Sequence, residues 1–211
     1  MYSFLNACID VLFPLSLDAR CIRDTPEATF IAQCAPHTFG DVTALTSYRA
    51  PLVRAFIHEA KFRHNTRAIA FLGRLLALYI QNTYPPDAYL DTHFIVMPLS
   101  AERLCERGYN QVLEIARSAG THLPNLHIHD TLLTKTQHTI PQTSLTRKER
   151  LTNLHGVFAI NEHLLAENVL SKNTHLILFD DITTTGATLA EASRTLRNAG
   201  FTHITQLALA H

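Results

Sequence analysis

The sequence is short of the features that mark several large classes of protein. It has four cysteines in 211 residues and no tryptophan, and its 18 basic and 18 acidic residues give a formal net charge of zero. Cysteines so few and so widely spaced exclude a secreted disulfide scaffold. The zero balance leaves no overall field that would attract the chain to nucleic acid or to an anionic membrane surface.

Long apolar runs are also missing. No stretch approaches the ~20 apolar residues of a membrane span. The N-terminus lacks a basic segment, and Asp10 interrupts its apolar stretch, so it does not resemble a signal peptide. We therefore expect a cytoplasmic protein with no membrane partner. With 46% hydrophobic residues, the chain is long enough to fill a core.

The most informative segment is an apolar run that ends in two carboxylates. Residues 175–179 predict a buried strand, and Asp180 and Asp181 follow it directly. The carboxyl ends of strands face the ligand-binding edge of an open α/β sheet. Carboxylates at that edge suit the hydroxyl groups of a ribose as acceptors, but they do not suit a phosphate, because like charges repel.

Small hydroxyl residues follow the carboxylates and lead into a predicted helix. The loop consists of Thr183, Thr184, Thr185, Gly186, Ala187 and Thr188. Hydroxyl and backbone N–H groups at a helix N-terminus form a ready site for a phosphate. The alternative is a purely structural strand–turn–helix with a chance acidic pair.

The rest of the pattern indicates an α/β protein. Apolar residues at helical spacing after residue 188, then Gly200 and an alternating apolar run, make residues 175–210 one βαβ unit, which predicts a parallel sheet flanked by helices. Helices are also predicted near 50–62, 66–82 and 109–119, strands at 93–97 and 126–133, an irregular region at 14–47 and a polar stretch at 134–150.

Two arginines follow the strand predicted at 93–97. Arg103 and Arg107 are four residues apart and share a helical face. Guanidinium groups suit forked hydrogen bonding to phosphate oxygens, so the pair could face a diphosphate. The alternative is two solvated arginines paired with Glu102 and Glu106.

Residues 179–188, Phe-Asp-Asp-Ile-Thr-Thr-Thr-Gly-Ala-Thr, resemble the phosphoribosyl-diphosphate (PRPP) signature of type I phosphoribosyltransferases. The resemblance implies that Asp180 and Asp181 hold the ribose hydroxyls, that the threonine loop wraps the 5-phosphate, and that Mg²⁺ arrives with PRPP. In the 6-oxopurine enzymes an aspartate acid/base stands two residues before the signature glycine. Thr184 occupies that place here and cannot do this chemistry near neutral pH, so purine salvage of that type is disfavoured.

Four further segments resemble the ComF/GntX family, a phosphoribosyltransferase-like group linked to competence and DNA uptake. They lie at 11–14, 48–63, 98–111 and 136–158. The resemblance implies a type I phosphoribosyltransferase fold with a small hood and an irregular N-terminal segment. It divides the chain into a degenerate appendage and hood at 1–47 and a phosphoribosyltransferase domain at 48–211.

The polar stretch at 134–150 has few large apolar residues and should lie at the surface as a lid or as a solvated linker. Related enzymes close such a loop over the diphosphate, which implies that Arg147 or Arg150 joins Arg103 and Arg107 at that group.

The N-terminal segment departs from the family. ComF-family proteins usually begin with a four-cysteine zinc module, and this chain keeps its spacing in altered form as Cys21, Asp24, Cys34 and His37. This ligand set is poor for a closed tetrahedral zinc site, so we expect the metal to be lost. His64 stands where the family has glycine, and it costs backbone freedom if the turn needs a positive φ.

Two functions remain open. One is PRPP-dependent transfer of ribose 5-phosphate to a nucleobase-like acceptor, with Asp180, Asp181, Arg103 and Arg107 as the catalytic residues. The other is a non-catalytic DNA-uptake factor that uses the fold as a binding or regulatory module and binds single-stranded DNA weakly. The sequence identifies neither the acceptor nor whether the chain forms a homodimer.

Overall fold

A six-stranded, mostly parallel sheet organises the chain. The computed structural model describes residues 16–85, 92–123, 126–136, 156–166 and 170–211. The strands are β1 (His37–Phe39), β2 (Val42–Thr46), β3 (Thr92–Val96), β4 (His127–His129), β5 (Leu133–Lys135), β6 (Phe158–Ile160), β7 (His175–Ile182) and β8 (Ile204–Ala210). The helices are α1 (Leu17–Asp24), α2 (Glu27–Ala32), α3 (Pro51–Phe62), α4 (Thr66–Thr83), α5 (Ala101–Arg107), α6 (Gln111–Gly120), α7 (Glu162–Ala166) and α8 (Ala187–Asn198).

The strand order of the main sheet is β1-β2-β8-β7-β3-β4. All neighbouring strands are parallel except β1, which pairs antiparallel with β2 at one edge. Strands β5 and β6 form a separate antiparallel pair. Because β3 and β7 are parallel and aligned, with Val96 opposite Phe179, the segments that follow them emerge at the same edge of the sheet.

Helices cover both faces of the sheet. On one face, alternate residues such as Ile177 and Phe179 of β7 join a core that includes α3, α4 and α6. On the other, Leu176 and Leu178 join a core with α8, whose Leu189, Ala192 and Leu196 are fully buried. The four-residue apolar run of β7, residues 176–179, is therefore explained by burial on both faces, as expected for a central parallel strand.

The prediction of an irregular region at 14–47 is wrong for the residues that the structure describes. They form α1, α2, β1 and β2, and β2 pairs in parallel with β8. Phe30 of α2 is fully buried and stacks on Phe56 of α3, with ring centroids 4.3 Å apart. The division into domains after residue 47 stays a prediction, although β2 and β8 belong to one sheet.

Most other predicted elements are confirmed with small shifts of their ends. Gly200 follows α8 with φ of 97°, as expected of a left-handed helix end. Two strands occupy the segment that was predicted as a single strand at 126–133. Strand β4 is an edge strand of the main sheet, and β5, which starts at Leu133, belongs to the separate β5–β6 pair. None of the helices within the described ranges is long and apolar enough to cross a membrane.

Candidate functional site

Both aspartates lie at the carboxyl end of β7, which extends three residues beyond the predicted strand. Asp181 is 5% exposed, and Asp180 is partly buried. The backbone N–H of Asp181 donates to Asp180 Oδ1 over 2.8 Å, and that of Ile182 donates to Asp181 Oδ1 over 2.7 Å. These bonds fix the directions of both carboxyl groups at the edge where the threonine loop begins.

Asp181 is held by two residues from distant parts of the chain. Lys61 Nζ, on α3, lies 3.2 Å from Asp181 Oδ2. Gln111 Nε2, at the start of α6, donates to the same oxygen over 2.8 Å. Burial alone would raise the pKa of Asp181, but the charge of Lys61 and the hydrogen bonds from Gln111 and Ile182 hold it below its ordinary value. Asp181 is therefore the ionised member of the pair.

Asp180 behaves in the opposite way. Burial, and then the negative charge of Asp181, raise the pKa of Asp180 to about 7. The pKa values of two adjacent carboxyl groups in one site move apart in this manner because like charges disfavour a second ionisation. Near neutral pH the pair therefore offers one carboxylate and one group that exchanges a proton readily.

The two predicted arginines occupy different positions. Arg107 Nη1 donates to Gln111 Oε1 over 3.0 Å, which connects Arg107 to Asp181 through a single amide. Its guanidinium carbon is 5.2 Å from the centroid of the Phe62 ring, within range of a cation–π interaction. Arg103 is exposed on α5.

Lys135, at the end of β5, interacts electrostatically with Arg103 and Asp180. Burial lowers the pKa of Lys135, the positive charge of Arg103 lowers it further, and the negative charge of Asp180 acts against both. The β5–β6 pair therefore brings a fourth cation, after Lys61, Arg107 and Arg103, toward the aspartates.

A hydrogen bond between Gly186 and Thr183 closes the threonine loop. Thr183 is 7% exposed, and its Oγ1 accepts from the N–H of Gly186 over 3.1 Å. Gly186 caps α8 with φ of 76°, and a Cβ there would meet Val42 Cγ2 at 3.1 Å. Thr184 and Thr185 are exposed. The first N–H groups of a helix have no partner within the helix, and that of Ala187, the first residue of α8, donates to Thr185 Oγ1 over 3.4 Å.

Two open cavities border the loop. One, of about 400 Å³, is lined by Arg49, His211 and Thr183 among others. The other, of about 790 Å³, lies between the turn that joins β1 to β2 and the start of α8. Thr184 lines both cavities, so the loop is accessible from two sides.

Part of the predicted site lies outside the residues that the structure describes. Arg147 and Arg150 lie outside the described residues, as does the segment at 11–14. Their assignment to the diphosphate and to the family pattern stays a prediction.

The four residues of the altered zinc spacing are not gathered into one cluster. Cys21 is exposed and Cys34 is partly buried, and Asp24 Oδ1 accepts from Arg23 Nε over 3.1 Å. Within the part of the chain that the structure describes, the one group of three potential metal ligands close together is Asp18, His58 and Glu59. The absence of zinc from the purified protein stays a prediction.

Sequence analysis missed three residues of the site: Lys61, Gln111 and Lys135. Each is far from residue 180 in the chain, and only the fold brings it to the aspartates. Lys61 and Gln111 do lie inside segments that resemble the ComF family, and Lys135 is the second residue of the predicted lid. That resemblance was the available signal, but it gave no contact between them and the aspartates.

A tyrosine joins two of the elements that carry the site. Tyr109 Oη donates to the carbonyl of Ala60 over 2.9 Å and accepts from the N–H of His64 over 3.0 Å. His64 has φ of 49°, which confirms that the turn after α3 needs a positive φ where the family has glycine. Tyr109 therefore ties the end of α3, with Lys61, to the segment that precedes Gln111.

The chain is similar in sequence to several known proteins. No family model matches it. Competence protein F of Haemophilus influenzae is 32% identical over 155 residues, which cover 70% of this chain and 63% of that protein. DNA utilization protein YhgH of Escherichia coli O157:H7 is 28% identical over 152 residues, which cover 72% of this chain and 63% of that protein.

Competence protein ComFC of Streptococcus pneumoniae is 32% identical over 112 residues, which cover 53% of this chain and 44% of that protein. The chain therefore spans less than two thirds of the length of these relatives. The chain belongs to the ComF family.

Proposed function

We propose that this chain takes part in DNA uptake or utilization as a module that binds a phosphorylated ribose, with PRPP as the ligand that its site fits best. The observation that carries the proposal is the succession of Asp180, Asp181, a threonine loop and a helix N-terminus at one edge of a parallel sheet. This arrangement supports a type I phosphoribosyltransferase fold.

The ribose would bind at the aspartates. Asp181 remains ionised and accepts hydrogen bonds, whereas Asp180, with its pKa raised to about 7, can accept or donate. A vicinal diol supplies both donors and acceptors, so it suits such a pair better than a second anion would.

The 5-phosphate would bind at Thr183–Thr188. Backbone N–H groups at the start of α8 and the exposed hydroxyls of Thr184 and Thr185 are the donors that a phosphate needs. Gly186 allows the close approach, because a side chain there would press against Val42.

The diphosphate would bind toward Arg107, Arg103 and Lys135. Arg103 and Arg107 lie on α5, which follows β3, and Lys135 interacts electrostatically with Arg103 and Asp180. Arg147 or Arg150 would add to them if the predicted lid reaches the site.

Mg²⁺ fits this donor set. Carboxylate oxygens together with ligand phosphates are its usual partners in proteins, and Asp180 and Asp181 supply two carboxyl groups. When bound, Mg²⁺ would neutralise charge on the diphosphate.

The DNA part of the proposal rests on the relatives, which are named as competence and DNA utilization proteins. With a net charge of zero, the chain has no overall field that would attract a strand. We therefore expect single-stranded DNA to bind weakly and to be released as salt rises.

A second candidate is transfer of ribose 5-phosphate from PRPP to a nucleobase-like acceptor. The observation that favours it is the group of cations beside Asp180, because such charges stabilise a leaving diphosphate. Thr184 does not supply an acid/base, so the reaction would rely on electrostatic stabilisation of the ribosyl cation.

Calorimetry tests the binding proposal. PRPP and ribose 5-phosphate would be titrated in the presence and absence of Mg²⁺, first into the wild-type chain and then into a variant that combines Asp180→Asn with Asp181→Asn. We expect Mg²⁺-assisted binding that the double variant loses. Asp24→Asn, which removes an exposed carboxylate of α1, is the matched control.

Unchanged PRPP binding in a folded double variant would refute the site. Release of diphosphate from PRPP in the presence of a panel of nucleobases separates the two candidates. Turnover with one base would establish transfer, and binding without turnover would favour the module.

A further inference from the structure

We propose that Gln111 is a positioning residue that couples Arg107 to Asp181, so that the diphosphate side and the ribose side of the site act as one hydrogen-bonded unit. This inference rests on the proposed function for its ligand, but the coupling itself is a property of the free protein. The relevant side chain is 2% exposed and lies between the two charged groups.

The backbone beside Gln111 is anchored to the sheet. Asn110 Nδ2 donates to the carbonyl of Met97 over 3.1 Å, and Asn110 Oδ1 accepts from the N–H of Val112 over 3.0 Å. The first bond attaches the start of α6 to the end of β3, and the second caps the helix. Gln111 therefore enters the site from a fixed position.

The amide of Gln111 has one favourable orientation. Its Nε2 donates to Asp181 Oδ2 over 2.8 Å, and its Oε1 accepts from Arg107 Nη1 over 3.0 Å. A flipped amide would set its oxygen against a carboxylate and its NH₂ against a guanidinium. Both contacts would then be repulsive, so the two charges select the same orientation.

The coupling follows from this geometry. A charge-assisted hydrogen bond to one end of an amide polarises the other end, because neighbouring hydrogen bonds strengthen each other. A guanidinium has five N–H donors, and the bond to Gln111 takes one of them. The anion that binds Arg107 therefore meets a side chain already oriented by the ribose-binding carboxylate.

A neutral amide suits the position between the carboxylate of Asp181 and the guanidinium of Arg107 better than a charged or an apolar side chain would. Glutamate in its place would bring a third carboxyl group to Asp180 and Asp181, and an apolar side chain would leave Asp181 with one hydrogen-bond donor fewer in a buried position. Lys61 supplies the compensating charge, with its ammonium 3.2 Å from Asp181 Oδ2.

The first test uses the free protein. The carboxyl carbon of Asp181 would be titrated by NMR in the wild type and in Gln111→Met, Arg107→Ala and the double variant. We expect Gln111→Met to raise the pKa of Asp181. We expect Arg107→Ala to raise it as well, but by less than half as much when Gln111 is already methionine.

The second test uses PRPP and calorimetry on the same four proteins. Each single variant should weaken binding by roughly ten- to a hundredfold, the effect of one charge-assisted hydrogen bond. The double variant should bind PRPP little more weakly than the single variant with the lower affinity. Gln111→Glu, which keeps the size of the side chain, replaces Gln111→Met if the latter does not fold, and it should also raise the pKa of Asp181.

The outcomes separate the inference from the proposed function. An unchanged titration of Asp181 in Gln111→Met and in Gln111→Glu, or additive losses of PRPP affinity in the double variant, would overturn the coupling. If the wild-type chain binds neither PRPP nor ribose 5-phosphate, the proposed ligand is wrong, and the titration alone decides whether Gln111 couples the two groups.

Discussion

Replacement of Lys61 by methionine tests the electrostatics of the site most directly. Lys61→Met keeps most of the side-chain stem and removes the ammonium group that lies 3.2 Å from Asp181 Oδ2. At that distance and an effective dielectric constant of about 20, the attraction between unit charges is about 5 kcal/mol. The loss of that attraction should appear in the free energy of unfolding.

The measured loss should be smaller than the Coulomb energy. The Lys61 side chain is 21% exposed, so water already screens it, and Asp181 keeps its hydrogen bonds from Gln111 and Ile182. Removal of one partner from a fully buried pair costs about 3–5 kcal/mol. We therefore expect Lys61→Met to lower the free energy of unfolding by about 2–3 kcal/mol at pH 7.

The assay is urea unfolding over a range of pH. The pKa of Asp181 is lower in the folded state than in the unfolded state, so the ion pair contributes stability above the unfolded pKa and loses it as pH falls through the folded pKa. Wild type and Lys61→Met should therefore converge in acid. Lys172→Met is a matched control, because its ammonium donates to the carbonyl of Ala199 and its loss should have an effect that does not change with pH. Equal stability of wild type and Lys61→Met at pH 7, or a difference that persists in acid, would refute this account of Asp181.

Four other predictions follow from the same geometry. Because the pKa of Asp180 is raised to about 7, the folded state keeps a proton that the unfolded state loses above about pH 4, so the free energy of unfolding of the wild type should fall as pH rises to about 7. Asp180→Asn should remove this fall in urea unfolding, and an unaltered pH profile in the variant would contradict the prediction. Arg103→Ala and Arg107→Ala should each weaken PRPP binding by roughly ten- to a hundredfold and ribose 5-phosphate binding by less. Equal losses for the two sugars in calorimetry would exclude a diphosphate role, and tight, salt-resistant DNA binding that these substitutions abolish would favour a DNA site. Gly186→Ala should lower the free energy of unfolding by about 1–2 kcal/mol, because φ of 76° is strained for alanine and its Cβ would meet a side chain at 3.1 Å. Chemical denaturation measures this loss, and a variant as stable as the wild type would argue against it. Elemental analysis should find no stoichiometric zinc, and zinc that disappears in Cys21→Ser would reverse that expectation.

The central part of the fold was predictable because its signals are local. The apolar run of β7, the helical spacing of α8 and Gly200 each depend on residues close together in the chain. The segment at 16–46 could not be predicted in this way, since β2 is stabilised by pairing with β8, more than 150 residues later. The Gly40-Asp41 turn between two runs of β-formers was the available local sign of the β1–β2 hairpin.

The site shows the same division. The aspartates and the threonine loop are contiguous, so the motif located them together. Lys61 and Gln111 reach Asp181 from 120 and 70 residues away, and no spacing rule connects them to it. The different protonation of the two aspartates also depends on these partners, because it is Lys61 and Gln111 that keep Asp181 ionised.

The tyrosine between α3 and α6 has a consequence for how the site is assembled. Since Tyr109 holds the end of α3 through Ala60 and His64, the ammonium of Lys61 and the amide of Gln111 are brought to their mutual positions when the chain folds. A ligand then meets a preorganised set of charges, and little conformational entropy is lost on binding. Affinity is thereby linked to the stability of one turn, so a change that frays the end of α3 would weaken binding without touching any group that contacts the ligand.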